Sequence, residues 1–238
     1  MLVNTTHRST QEEIMDSFDL QGPELRKTLK DLAIINSWLG GISITVDGVL
    51  ALLKEKPKQK RYTIIDMGCG DGHILRALAI LGKKKGYVFD LIGIDGNAHT
   101  IDFAKSSSLK YPEIKFYTQD FLAKFDSQDQ DCDIVICTLT LHHFKKNELI
   151  ELVNKFINRS RIGLVINDLH RSRIAYYLFK ILCLFVIKNP IAQKDGAISI
   201  LRGFKREDLK TYAAKTNQVT HKIKWCWAFR YQWILIKG

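Results

Sequence analysis

Two apolar periodicities run along the chain, and the changes between them mark three sections. From Pro23 onward, Leu25, Leu29, Leu32 and Asn36 recur at three- and four-residue steps, with Ile35 and Leu39 alongside. This spacing predicts a helix that takes a proline in its first turn and ends at Gly40-Gly41. A second helix over 42–54 leads to a basic linker around Pro57, so residues 1–56 read as an N-terminal helical cap on a domain over 57–238. From 61 to 168 the pattern changes. Short β-former runs at 62–66, 88–95, 114–118, 133–138 and 162–167 alternate with helical stretches at 73–81, 98–108 and 147–158. Such alternation predicts an α/β fold with a parallel sheet, and right-handed crossovers put every strand's carboxyl end on one edge, where ligands bind. Asp66, Asp95, Asp120 and Asp168 fall on that edge. The last section predicts a helix over 173–188, an irregular link through Pro190 and Gly196, and a helix near 205–215. Two strand-like runs, 219–227 and 228–236, close the chain.

The first strand of the central section ends in Ile64-Ile65-Asp66-Met67-Gly68-Cys69-Gly70-Asp71-Gly72. An apolar run closed by an acid and three alternate glycines describes a strand turning sharply into a helix, with backbone free to approach a ligand. A dinucleotide fingerprint would need its third glycine at position 73, which is His73, and a phosphate loop would need a Gly-Lys-Ser/Thr, which is absent. The segment 66–72 resembles the first motif of the class I (Rossmann-like) S-adenosylmethionine-dependent methyltransferases.

That resemblance spans about 61–238. It implies a Rossmann-like seven-stranded, mostly parallel sheet with helices on both faces, whose last two strands form the terminal antiparallel pair, and it implies S-adenosylmethionine as cofactor. Asp66, Gly68, Cys69, Gly70 and Gly72 match its glycine turn. Asp95, at the end of Leu91-Ile92-Gly93-Ile94-Asp95, matches the ribose-binding acid, with Gly96 next to it. A carboxylate there can accept from both ribose hydroxyls. Asp120 resembles the acid that contacts adenine, followed by Phe121. Thr138, in Ile134-Val135-Ile136-Cys137-Thr138-Leu139, lies where the methionine part would sit. Any one of these acids alone reads as a helix cap or turn residue; their order on successive strands is what gives them meaning.

Composition narrows the setting. With 238 residues, 46% hydrophobic and 26% charged, the chain suits one globular domain with additional covering elements. The net charge of +11 comes from lysines scattered over loop-like stretches, not interleaved with aromatics, and so reads as solvated surface before it reads as a nucleic-acid groove. Five cysteines without a C-x-x-C pair indicate unpaired thiols in a reducing compartment, and no metal ion is expected. Residues 1–13 are polar, without the apolar core of a signal peptide, which points to a cytoplasmic address.

For the acceptor, Leu139-Thr140-Leu141-His142-His143-Phe144 brings two histidines to the ligand edge, and Asp168-Leu169-His170-Arg171 follows the fifth strand. His142, His143 and His170 are candidate bases, since imidazole titrates near neutral pH; each is also open to a packing or hydrogen-bonding role. Residues 167–176 and 195–204 are similar to a bacterial branch of ubiquinone/menaquinone-type small-molecule methyltransferases, members of which occur with polyketide synthases. This implies O-methylation, or C-methylation, of a small lipophilic phenolic, quinone-like or polyketide acceptor, as in secondary metabolism. The run 174–187 is apolar almost all round but shorter than the ~20 residues a bilayer needs. It reads as a buried cap helix, as the wall of an apolar cavity, or as a peripheral contact with a membrane. An RNA or protein methyltransferase and a non-catalytic cofactor-binding protein are the alternatives. Thr138-Leu139-Thr140-Leu141 departs from the Asp/Asn-Pro-Pro-aromatic motif of amino-methylating nucleic-acid enzymes.

Overall fold

The computed structural model describes residues 3–17, 20–120, 132–216 and 219–238. Its center is β4 (Cys132–Thr138), buried at every residue, as a parallel strand covered on both faces must be. Around it lie β1 (Arg61–Met67), β2 (Val88–Asp95), β3 (Ile114–Thr118), β5 (Ser160–Leu169), β6 (Val219–Cys226) and β7 (Arg230–Lys237), in the order β3-β2-β1-β4-β5-β7-β6. The first five strands run parallel, and β7 is inserted antiparallel between β5 and β6. The seven-stranded α/β architecture expected from the sequence is therefore present.

The helices α1 (Gly22–Trp38), α2 (Gly41–Leu53), α3 (His73–Lys85), α4 (Ala98–Ser107), α5 (Lys146–Arg159), α6 (Arg173–Phe185), α7 (Pro190–Arg202) and α8 (Arg206–Ala213) form three groups. On one face of the sheet, α2, α3 and α4 bury Val49, Leu75 and Ile101 against Ile64, Leu91 and Ile134. On the other, α5 and α8 bury Leu152, Phe156 and Leu209 against Val135, Leu164 and Trp233. Burial of this kind contributes about 25 cal/mol per Å² of apolar surface and sets the register, because a one-residue slip would turn each strand inside out. The third group, α1, α6 and α7, packs around Ile35, Phe179, Cys183, Ala192 and Ile200. The residues read as an N-terminal cap thus supply α1 to this third group and α2 to the sheet.

Two expectations are corrected. The irregular link through Pro190 and Gly196 is a helix, α7. Asn189 caps it by accepting from the Ile191 N–H at 3.0 Å, and Pro190 occupies its first turn. Gly196 is no breaker there; it is the site of close packing, since a Cβ would stand 2.3 Å from Phe179 Cζ. The N-terminal stretch, read as helical with the rest of 1–56, has no helix over 3–13 and a single 3-10 turn at Ile14–Asp16. It forms a strap, held by backbone contacts to distant elements. No single helix among the described residues is long and apolar enough to cross a membrane.

Candidate active site

Above the carboxyl ends of β1, β2, β4 and β5 lies a cavity of about 1160 Å³, and its two ends differ in chemistry. At one end the β1–α3 turn bends through Gly68 (φ 80°) and Gly70 (φ 53°), a region that side-chain-bearing residues avoid. The turn is pinned to β2, because the Gly68 and Cys69 N–H groups donate to Ile94 O at 2.9 and 3.0 Å. Asp95 receives the Gly70 N–H on Oδ2 and the Asn97 N–H on Oδ1, each at 3.0 Å. Asp66, Gly68, Cys69, Gly70, Asp95, Gly96, Asp120 and Thr138 all line this cavity. Gly72 does not; it caps α3 in a left-handed conformation, and its missing side chain leaves room for Phe116 Cζ, 2.7 Å from where a Cβ would be. Phe121 lies outside the described residues.

Burial dominates the electrostatics of this end. Asp66 is fully enclosed, its Oδ1 has no partner, and burial next to Asp95 and Asp71 pushes its carboxyl up to about 8. Its surroundings thus favor the protonated form. Gly68 is the most constrained of the glycines here, since a Cβ would lie 2.2 Å from Thr140 Oγ1. Gly68→Ala is expected to cost at least about 2 kcal/mol, from overpacking added to an unfavorable φ, and to appear as a lowered Tm in differential scanning fluorimetry. An unchanged Tm would show that Thr140 can move aside.

The other end of the cavity is built where the β4–α5 loop meets the N-terminal strap. His142 is buried; its Nδ1–H donates to Asp168 Oδ1 at 2.7 Å, and its backbone N–H donates to Asp168 Oδ2 at 3.2 Å. Its Nε2 faces Glu13 Oε1 at 3.5 Å, an ion-pair contact, and neither atom has a hydrogen-bond partner. Burial opposes the charge, but Asp168 and Glu13 outweigh it and hold the imidazole up at about 9. His143 is more open, 27% exposed, and its Nδ1 lies 2.6 Å from Asp16 Oδ1. Arg202 closes the cluster, with Nη1 on Asp16 and Nη2 on the His143 carbonyl, while its Nε and Arg8 Nη2 both donate to the His142 carbonyl, at 3.1 and 2.7 Å. Glu13, His142 and His143 bring ligand-type atoms within 4.8 Å of one another. Arg202 Nη1 lies 3.9 Å from Glu13 Oε1 and places a guanidinium charge beside the same cluster.

The sign of the His142 linkage is definite. Its folded pKa lies above the ordinary 6.5, so its contribution to stability is full below about 6.5 and is lost as pH rises through about 9. Wild type is therefore expected to lose Tm between pH 6.5 and 9 more steeply than His142→Gln. Parallel melting curves would mean that the imidazole is neutral in the folded chain.

His170 is not among the residues that line the cavity; its Nδ1 accepts from Trp225 Nε1 at 3.2 Å and its ring packs edge-on to Tyr231. The residues that sequence reasoning missed are Glu13, Asp16, Arg8 and Arg202. Glu13 and Asp16 come from the strap, which is fastened by Ile14 and Met15 N–H groups donating to Asp195 (2.8 and 3.0 Å), by the Ser9 N–H on Leu201 O (3.0 Å) and by Arg171 Nε on Thr5 O (3.1 Å). The available signal was Glu13-Ile14-Met15-Asp16, two acids in a short turn ahead of the first helix; nothing in its spacing shows what it folds against.

Comparison with known proteins fits this architecture. A carboxy-S-adenosyl-L-methionine synthase of Campylobacter jejuni subsp. jejuni serotype O:6 is 31% identical over 104 residues, 42% of this chain and 41% of that protein. The chain thus matches less than half the length of such curated relatives. Among solved structures, the plantazolicin methyltransferase BpumL in complex with S-adenosylhomocysteine is similar at a TM-score of 0.66 and 14% identity, over 90% of this chain and 96% of that one. The CMeT domain of the citrinin polyketide synthase is similar at a TM-score of 0.61 and 14% identity, over 80% of this chain and 50% of that one. Residues 58–232, from just before β1 into the start of β7, match the family model described as a methyltransferase domain. The chain belongs to that family and carries a methyltransferase domain.

Proposed function

We propose that the chain methylates an oxygen, in preference to a carbon, of a small lipophilic phenolic, quinone-like or polyketide acceptor, and that His143 takes the acceptor's proton. The contact between His143 Nδ1 and Asp16 Oδ1 carries this reading. With Asp16 as partner, Nδ1 holds the ring hydrogen and Nε2 is left as the acceptor, the arrangement a general base needs. His142 suits that role less well, because it is buried between Asp168 and Glu13, which favor its protonated form. It acts as a positioning residue that ties β5 and the strap to the loop carrying His143.

The other end of the cavity suits the cofactor. Nothing stands within 4 Å of where a Cβ of Gly70 would be, and Asp66 lines the cavity with an unpartnered Oδ1. Each oxygen of Asp95 holds one amide and keeps capacity for a ribose hydroxyl. Asp66, Gly68, Cys69, Gly70, Asp95, Gly96, Asp120 and Thr138 are the residues assigned to hold it. Bound there, S-adenosylmethionine supplies an electrophilic methyl group. The chain itself has to align the acceptor, exclude water and receive a proton.

Leu32, Leu39, Phe144, Phe179 and Phe229 among the lining residues support an apolar acceptor. A plantazolicin methyltransferase and a citrinin polyketide synthase domain among the fold's neighbors agree with one of natural-product type. The test is incubation of the enzyme with methyl-labeled cofactor and a cell extract of the source organism, followed by mass spectrometry. Label is expected in a small molecule that partitions into organic solvent; label confined to RNA or protein would overturn the reading.

A further inference from the structure

The most unusual surface of the molecule is α6. Ile174, Tyr177, Leu178, Ile181, Leu184 and Phe185 follow at steps of three, one, three, three and one, a single helical stripe, and all six are exposed, Leu184 and Phe185 at 80% and 78%. The opposite stripe, Ala175, Phe179 and Cys183, is the one that packs into the protein. A helix apolar on both sides with only one side covered leaves a contiguous apolar face in water, which marks an interaction surface. Its charge is one-sided. From 173 to 194 the chain has Arg173, Lys180, Lys188 and Lys194, all exposed, and no acid. The face also adjoins the cavity: Leu178 and Trp227 line it while remaining 47% and 67% exposed.

We propose that the outward face of α6, together with Trp227, which lines the same cavity as Leu178, docks on an anionic lipid bilayer, so that the cavity mouth faces the membrane and the acceptor enters from the bilayer. An apolar stripe flanked by cations and an exposed tryptophan is the pattern of a helix lying in the interfacial plane. The four basic side chains, with no acid among them, complement an anionic headgroup layer and would repel a second copy of the same face. Docking stands independently of the reaction; entry of the acceptor from the bilayer rests on the lipophilic acceptor proposed above.

The test is sedimentation of the full chain with sucrose-loaded vesicles of phosphatidylcholine, with and without phosphatidylglycerol. Binding is expected to the anionic vesicles and to weaken with salt. Leu184→Asp combined with Phe185→Asp is expected to lower the partition coefficient at least about tenfold, with unchanged circular dichroism and unchanged S-adenosylmethionine affinity by calorimetry. Because neither residue lines the cavity, a failure of docking is read apart from any failure of the methyltransferase site. Equal sedimentation of wild type and variant overturns docking. So does a concentration-dependent dimer that the same double variant abolishes, since a second copy would then cover the face. Delivery from the bilayer predicts that the variant labels detergent-solubilized acceptor at the wild-type rate and vesicle-held acceptor more slowly; equal rates from both overturn that part.

Discussion

Asp95→Ala is expected to weaken S-adenosylmethionine binding about 100-fold in calorimetry, the loss of two charge-assisted hydrogen bonds at roughly 1.5 kcal/mol each. The carboxylate has a double task. It fixes the glycine turn through the Gly70 N–H and the start of the next helix through the Asn97 N–H, and its remaining lone pairs face the cavity. Asp95→Asn separates the two tasks, because the amide keeps one acceptor oxygen but has no charge. An intermediate affinity is expected for it. Wild-type affinity in Asp95→Ala would place the ribose elsewhere.

His143→Ala is expected to lower the turnover number by about 10²- to 10⁴-fold, the usual range for a positioned general base, with cofactor affinity unchanged within about twofold. Asp16→Asn should give a smaller loss, about tenfold, since it leaves the base in place but weakens its orientation. The acceptor found by isotope labeling supplies the assay. A full loss of turnover in His142→Gln together with wild-type turnover in His143→Ala would move the proton to His142. Unchanged turnover in every single histidine variant would mean that alignment of the two reactants accounts for the rate.

The fold was legible because the central section repeats one physical unit: an apolar β-former run, a polar edge and a helical stretch. Each strand from β1 to β5 appears where that pattern predicts it, within a few residues. The glycine-turn end of the cavity was legible for a related reason, since the turn and the acids that follow it sit at fixed positions of the same unit. Gly72 shows the limit. Spacing groups it with Gly68 and Gly70, yet it faces Phe116 instead of the cavity. Position 196 shows another, because glycine interrupts a helix on propensity but serves α7 as the contact through which Phe179 enters. His170 lies two residues after Asp168, and the direction of the β5 end turns it toward Trp225.

The sequence by itself determined the sheet, the layers on its faces and the glycine turn after β1, because those depend on local periodicity and on residues one or two elements apart. Only the tertiary structure decided which imidazole is buried among carboxylates and which stays partly exposed at the cavity. His142 is held first by Asp168, at the end of β5, and then by Glu13, whereas His143 meets Asp16; Glu13 and Asp16 lie more than 120 residues earlier in the chain, and the strap brings them against the two histidines. The charge state of an imidazole depends on the carboxylates and solvent around it, and no spacing rule encodes a contact made between a polar terminal segment and a loop across the molecule.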